Sequence, residues 1–139
     1  MCFGNAGFFN MKKEKRMKTL ELKITDSIPK NYTGIVKWEG GVKEWYKEGE
    51  LHREDGPAHI RFDDLSWYLD GGYLSFSYLE TLIRKSIFLG AEKGKYDLYW
   101  LRFFTEDKIK EFPIIPGMKE FYHYSKMFSL LRKHHGYEV

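Results

Sequence analysis

From Thr19 onward, apolar and polar residues alternate in short runs separated by turn formers. Leu20, Leu22 and Ile24 alternate with Thr19, Glu21 and Lys23, which predicts a half-buried strand with one apolar face. The stretch Asp26-Ser27-Ile28-Pro29-Lys30-Asn31 breaks that strand, and Thr33–Trp38 predicts a second one with Gly34, Val36 and Trp38 on one side. Glu39-Gly40-Gly41 turns into Val42–Lys47, and Glu48-Gly49 is a two-residue hairpin signal, because glycine reaches positive φ without strain. Asp55-Gly56-Pro57 marks the next turn. Beyond it Ala58, Ile60 and Phe62 are expected on one face, opposite His59 and Arg61. Asp63-Asp64 should turn the chain into Leu65, Trp67 and Leu69, and Asp70-Gly71-Gly72 should close the series. The pattern predicts an antiparallel meander with very short connections.

The periodicity changes after residue 74. Ser77 and Glu80 have capping-box spacing, and Leu79, Leu82, Ile83 and Ile87 follow at helical intervals up to Gly90. Residues 91–95 read as a loop and Tyr96–Phe104 as an aromatic-rich strand. Thr105-Glu106-Asp107 is expected to open a short helix ending at Phe112, followed by the rigid connector Pro113–Gly117. Met118, Phe121, Tyr122, Ser125, Phe128 and Leu131 share one face of a last helix. Arg132 and Lys133 in its final turn oppose the helix dipole before His134-His135-Gly136. The expected fold class is therefore α+β, with residues 19–74 forming a β-hairpin part and residues 75–139 a mainly helical cap of two or three helices. Both parts would belong to a single domain behind an N-terminal extension, residues 1–18.

Within the hairpin part, Trp45-Tyr46-Lys47-Glu48-Gly49 returns as Trp67-Tyr68-Leu69-Asp70-Gly71, a period of 22 residues from position 45 to position 67. A fixed period of this size marks a repeated supersecondary unit, which presents surface more often than it performs chemistry. The run Trp45-Tyr46-Lys47-Glu48-Gly49-Glu50-Leu51-His52-Arg53-Glu54-Asp55-Gly56-Pro57-Ala58 resembles the MORN-variant repeat of bacterial, phage and large-virus proteins, with Glu48 in place of the usual Asn. The resemblance covers about residues 32–74. The second copy begins with Trp67-Tyr68-Leu69-Asp70-Gly71, but Leu-His-Arg-Glu-Asp-Gly-Pro does not follow, and Tyr73-Leu74-Ser75 stands there instead. The resemblance implies a row of hairpins with a binding role, and it brings no catalytic residues with it.

Composition sharpens this picture only in places. The chain has 139 residues, 18% of them aromatic, and a single cysteine, Cys2, so neither an internal disulfide nor a Cys-based zinc site is open to it. No apolar run approaches the ~20 residues of a membrane-spanning helix, and a cytoplasmic location is expected. The net charge of +3 conceals a segregation. Residues 1–37 hold eight Lys/Arg against three acids, residues 38–80 four against ten, and residues 81–139 eleven against seven. The hairpins thus form an acidic band between basic flanks. Such a band suits a basic partner, and it equally suits solvated turns that keep sheet edges from aggregating. Lys12–Lys18 has the charge of a nucleic-acid grip, but clusters of this kind are more often solvated tails, and direct nucleic-acid binding is not expected.

His52, Arg53, Glu54 and Asp55 form the only dense polar constellation. An acid–base or metal site would pair His52 with Glu54 or Asp55. Alternation along an extended chain instead places His52 with Glu54 and Arg53 with Asp55, and the favoured reading is structural. Trp45, Gly49, His52, Arg53, Asp55, Gly56, Pro57 and Trp67 are then framework. Glu48, Glu50, Glu54, Asp63, Asp64 and Asp70, with Tyr46 and Tyr68, are the candidate contact residues. His134-His135 makes a poor metal pair, because adjacent helical positions diverge by ~100°. No catalytic residue, metal or cofactor is expected. The leading expectation is a small non-catalytic protein-binding module. Its alternative is a phage-type inhibitor that occupies the basic surface of a bacterial nucleic-acid-targeting defence complex.

Overall fold

The computed structural model describes residues 17–118 and 122–136, with side chains over 17–118 and 129–136. Residues 1–16 with Cys2, and the side chains of Phe121, Tyr122, His123, Ser125 and Phe128, lie outside the described residues. The fold is mixed α+β, and the chain divides after Tyr73 into two compact units. No helix among the described residues is long and apolar enough to cross a membrane.

In the first unit the strands are β1 (Thr19–Leu22), β2 (Gly34–Trp38), β3 (Lys43–Lys47), β4 (Glu50–Leu51), β5 (His59–Arg61), β6 (Asp64–Ser66), β7 (Tyr68–Leu69) and β8 (Gly72–Tyr73). One sheet runs β1-β2-β3-β5-β6 with β4 also on β3, and β7 pairs with β8 separately. The expected all-antiparallel meander is corrected at its start, where β1 pairs parallel to β2 with Thr19 opposite Ile35 and Leu22 opposite Trp38. Residues 23–33 are long enough to act as a crossover rather than a turn, which a parallel pair requires. The Lys18 carbonyl accepts the Ile35 N–H (2.7 Å) and the Tyr32 hydroxyl (3.1 Å), so Lys18, read as part of an extension, is stitched into the unit. Gly34 makes this seam possible. It is buried at φ +149, and a Cβ there would stand 2.6 Å from the Lys18 carbonyl oxygen.

The two copies of the repeat fold as the same hairpin. Tyr46 faces Leu51 and Lys47 faces Glu50 around Glu48-Gly49; Tyr68 faces Tyr73 and Leu69 faces Gly72 around Asp70-Gly71. Both turns have positive φ at both central residues, +50 and +84 in the first, +49 and +78 in the second, the geometry that matches strand twist. The β5–β6 turn differs from expectation. It consists of Phe62-Asp63, with Asp64 already in β6, so Phe62 leaves the apolar face and sits exposed at the tip. The core contains Tyr32, Ile35, Val36, Trp45, Ala58, Trp67 and Leu69.

The second unit has less helix than the sequence suggests. Helix α1 spans Phe76–Lys85, capped by Ser75 rather than Ser77, with the Ser75 hydroxyl accepting from the Tyr78 N–H. It stops before the expected Gly90. Residues Ile87–Lys93 form β9, and Gly90 adopts φ +116 beside a bulge in that strand. After a 3-10 turn at Lys95–Asp97 come β10 (Tyr99–Thr105), β11 (Lys108–Ile114) and helix α2 (Tyr122–His135). The sheet order is β11-β10-β9, antiparallel throughout. The short helix expected from Thr105 to Phe112 is therefore a hairpin, since Glu106 and Asp107 take φ +51 and +61 as its two-residue turn. Thr-Glu-Asp suits a helix start and a hairpin tip alike, and cross-strand pairing of Leu101 with Phe112 decides it by burying both. Phe103, Leu79, Leu82, Ile83, Ile115 and Leu131 fill the core. His135 at the end of α2 donates from Nε2 to the Ile83 carbonyl (2.6 Å), satisfying an acceptor that the end of α1 leaves open.

Candidate functional site

The polar constellation is built around β3. Strands β4 and β5 pair along the same side of β3, β4 with Tyr46 and Lys47, β5 with Lys43 and Glu44. Residues 52–57 carry the chain from one to the other. Both strands run antiparallel to β3, so these residues loop out beside Trp45 and rejoin the same edge, and their side chains fasten that loop.

Arg53 lies with its guanidinium carbon 3.8 Å from the centre of the buried Trp45 ring. Its Nε donates to Asp55 (2.9 Å) and its Nη1 to the Pro57 carbonyl (3.2 Å). A Cβ on Gly56 would stand 2.8 Å from the same guanidinium carbon, so a side chain at this position would have to displace Arg53. His52, 6% exposed, has both ring nitrogens engaged. Nε2 is 2.7 Å from Glu54, and Nδ1 accepts the Asp70 backbone N–H at 2.9 Å. Those partners suit the neutral ring with its proton on Nε2, assigned from its hydrogen bonds. The Asp70 carboxylate lies 3.3 Å from Nδ1. His52 thus ties the first hairpin to the turn of the second. The Arg53 N–H to the Tyr68 carbonyl (3.2 Å) and the Gly71 N–H to the Leu51 carbonyl (2.9 Å) tie them again.

The pairing of His52 with Glu54 and of Arg53 with Asp55 follows the alternation expected from the sequence. The contact candidates separate into two groups. Glu54 is held by His52, and the Tyr46 hydroxyl donates to Glu44 at 2.9 Å. Tyr68 packs against Tyr73 with ring centres 5.4 Å apart. Glu48, Glu50, Asp63, Asp64 and Asp70 are exposed at or beside the hairpin turns.

Glu44 is the residue that sequence reasoning missed. It receives the Trp38 indole N–H (2.7 Å) and the Tyr46 hydroxyl on Oε1, and the His59 ring (2.8 Å) on Oε2. Its position opposite His59 and Val36 in neighbouring strands depends on register, and the only local hint was a carboxylate among inward-facing aromatics. Burial first, and then the hydrogen bond to Glu44, raises the Tyr46 phenol well above its ordinary value; burial raises Tyr32 as well. The folded state therefore keeps protons that the unfolded chain releases near pH 10. This contribution to stability is complete below pH 10 and is lost as pH rises beyond it. Thermal melts should be flat from neutrality to about pH 9 and fall above pH 10, with a shallower fall in Tyr46→Phe.

A cavity of about 230 Å³ opens beside the motif, lined among others by Thr33, Trp45, Tyr46, Lys47, Arg53 and Glu54. It is small beside the ~300–1,000 Å³ of small-molecule sites. Among the described residues no group of three or more His, Cys, Asp or Glu side chains is placed to hold a metal ion. No protein-family model, curated protein or solved structure matches the chain, so function has to be argued from its own residues.

Proposed function

We propose that this protein is a small non-catalytic protein-binding module of the MORN-variant kind, which presents its acidic hairpin tips to a basic partner protein. One observation carries the reading. The side chains with the greatest chemical potential, His52, Arg53, Glu54 and Asp55, are committed to one another and to the backbone, while Glu48, Asp63, Asp64 and Asp70 stand exposed on the turns that this bracing holds. Exposed acids on rigid tips speed encounter with a basic surface and fix its orientation. A narrower form of the same reading is an inhibitor that fills the basic channel of a nucleic-acid-targeting defence protein.

Affinity capture with the full chain as bait, from an extract of the organism that encodes it, tests the proposal. The expected catch is a basic protein whose association slows about tenfold, and loses its salt dependence, when Glu48, Asp63, Asp64 and Asp70 are changed to their amides. A defence nuclease in the eluate would favour the inhibitor form. His52→Ala should lower stability by about 2 kcal/mol, because it strands the Asp70 N–H and leaves Glu54 without its partner, and it should leave partner affinity among folded molecules unchanged. An empty eluate combined with turnover of a small molecule that His52→Ala abolishes would reverse the assignment.

A further inference from the structure

Of the four two-residue hairpin turns among the described residues, three begin with an acid at positive φ, namely Glu48, Asp70 and Glu106. The fourth begins with Phe62, at φ +57. A bulky L-residue in this conformation is strained, and glycine, asparagine or aspartate would relieve it. Phe62 gains no burial in exchange, since it is 77% exposed, the most exposed of the large hydrophobic residues described. Either feature alone is unremarkable, because single exposed apolar residues are common. Together they place an aromatic ring where neither local conformation nor packing asks for one, and strain of this sort collects at ligand clamps and recognition sites.

We infer that Phe62 is the anchor by which the protein docks on its partner, entering an apolar pocket rimmed by lysine or arginine. The charge around the tip selects that rim. Arg61 and Asp64 face each other across the hairpin and offset, and Asp63 supplies the excess negative charge. An aromatic anchor ringed by polar groups is the usual composition of an interface hot spot. The short strands behind it, with Ile60 opposite Leu65 and His59 opposite Ser66, hold the ring out on a fixed stem. The inference rests on the binding function proposed above.

The test uses the full chain with a photoreactive benzoylphenylalanine at position 62. The control carries it at Ile24, which is 76% exposed and follows β1, at the edge of the sheet opposite β6. Irradiation in the extract should cross-link a partner at position 62 and not at 24, through a partner peptide that contains apolar residues and Lys or Arg. Phe62→Asn should raise the melting temperature by about 3 °C as strain is relieved, while affinity for the captured partner falls roughly 30-fold. Capture of the partner by the wild-type chain with no cross-link at 62, or with undiminished affinity in Phe62→Asn, would overturn the anchor and leave the binding function standing. A lowered melting temperature in Phe62→Asn would also overturn it, by showing that the ring serves the fold. Absence of any partner for the wild-type chain would overturn both.

Discussion

Trp45→Ala is expected to lower the stability of the first unit by about 4 kcal/mol, the scale of a buried aromatic truncated to alanine. The indole is 4% exposed in β3, with the Arg53 guanidinium on its ring and the Lys43 ammonium 4.9 Å from its centre. Removing it opens a cavity beneath residues 52–57. It also takes away the surface on which Arg53 rests, so the Arg53–Asp55 pair and the bond to the Pro57 carbonyl lose their support. Arg53→Ala keeps the indole and should lose less, about 1–2 kcal/mol. Urea unfolding followed by tryptophan fluorescence measures both. A wild-type midpoint in Trp45→Ala would mean that the ring is not the base of the motif.

The second large effect is expected at a residue with no side chain. Gly34→Ala should lower stability by about 3 kcal/mol. An added Cβ would stand 2.5 Å from the Tyr32 hydroxyl and 2.6 Å from the Lys18 carbonyl oxygen. Tyr32 can rotate away, but the carbonyl is backbone and already bonded to the Ile35 N–H. Relief therefore requires β1 to move off β2, and φ +149 adds strain of its own. Amide exchange at Ile35 should be slow in the wild type, where its N–H is bonded to the Lys18 carbonyl, and fast in the variant, while exchange at Trp45 should change least among the core amides. Exchange at Ile35 that stays slow would show that the seam tolerates the methyl group.

The features legible in the sequence were those encoded by neighbouring residues. Glu48-Gly49 and Asp70-Gly71 announce hairpins because their backbone angles are a local property, and the structure places turns there with matching register. Alternation likewise paired His52 with Glu54 and Arg53 with Asp55. What could not be read depends on residues far apart in the chain. The parallel β1–β2 pair is decided by Lys18 meeting Ile35, and the role of Glu44 by its meeting His59. The strand at Ile87–Lys93 is fixed by pairing with β10 and by Phe88 packing on Phe103, ring centres 5.4 Å apart. Its own residues equally suit the tail of a helix. Phe62 misled the alternation rule for another reason: its place at the tip is opposed by its own side chain.

The bonds from His52 to the Asp70 turn and from Leu51 to Gly71 have a bearing on how long such a protein can be. They make each hairpin a template for the next, in the manner of a one-dimensional array with nearest-neighbour coupling. Position 74, one period beyond His52, is leucine. It has no ring nitrogen with which to accept the turn N–H of a third copy, so the side-chain bond that couples the first two hairpins is not available past the second. The array thus ends where the Leu-His-Arg-Glu-Asp-Gly-Pro string is missing, and restoring that string after Gly72 is the edit that would let it grow.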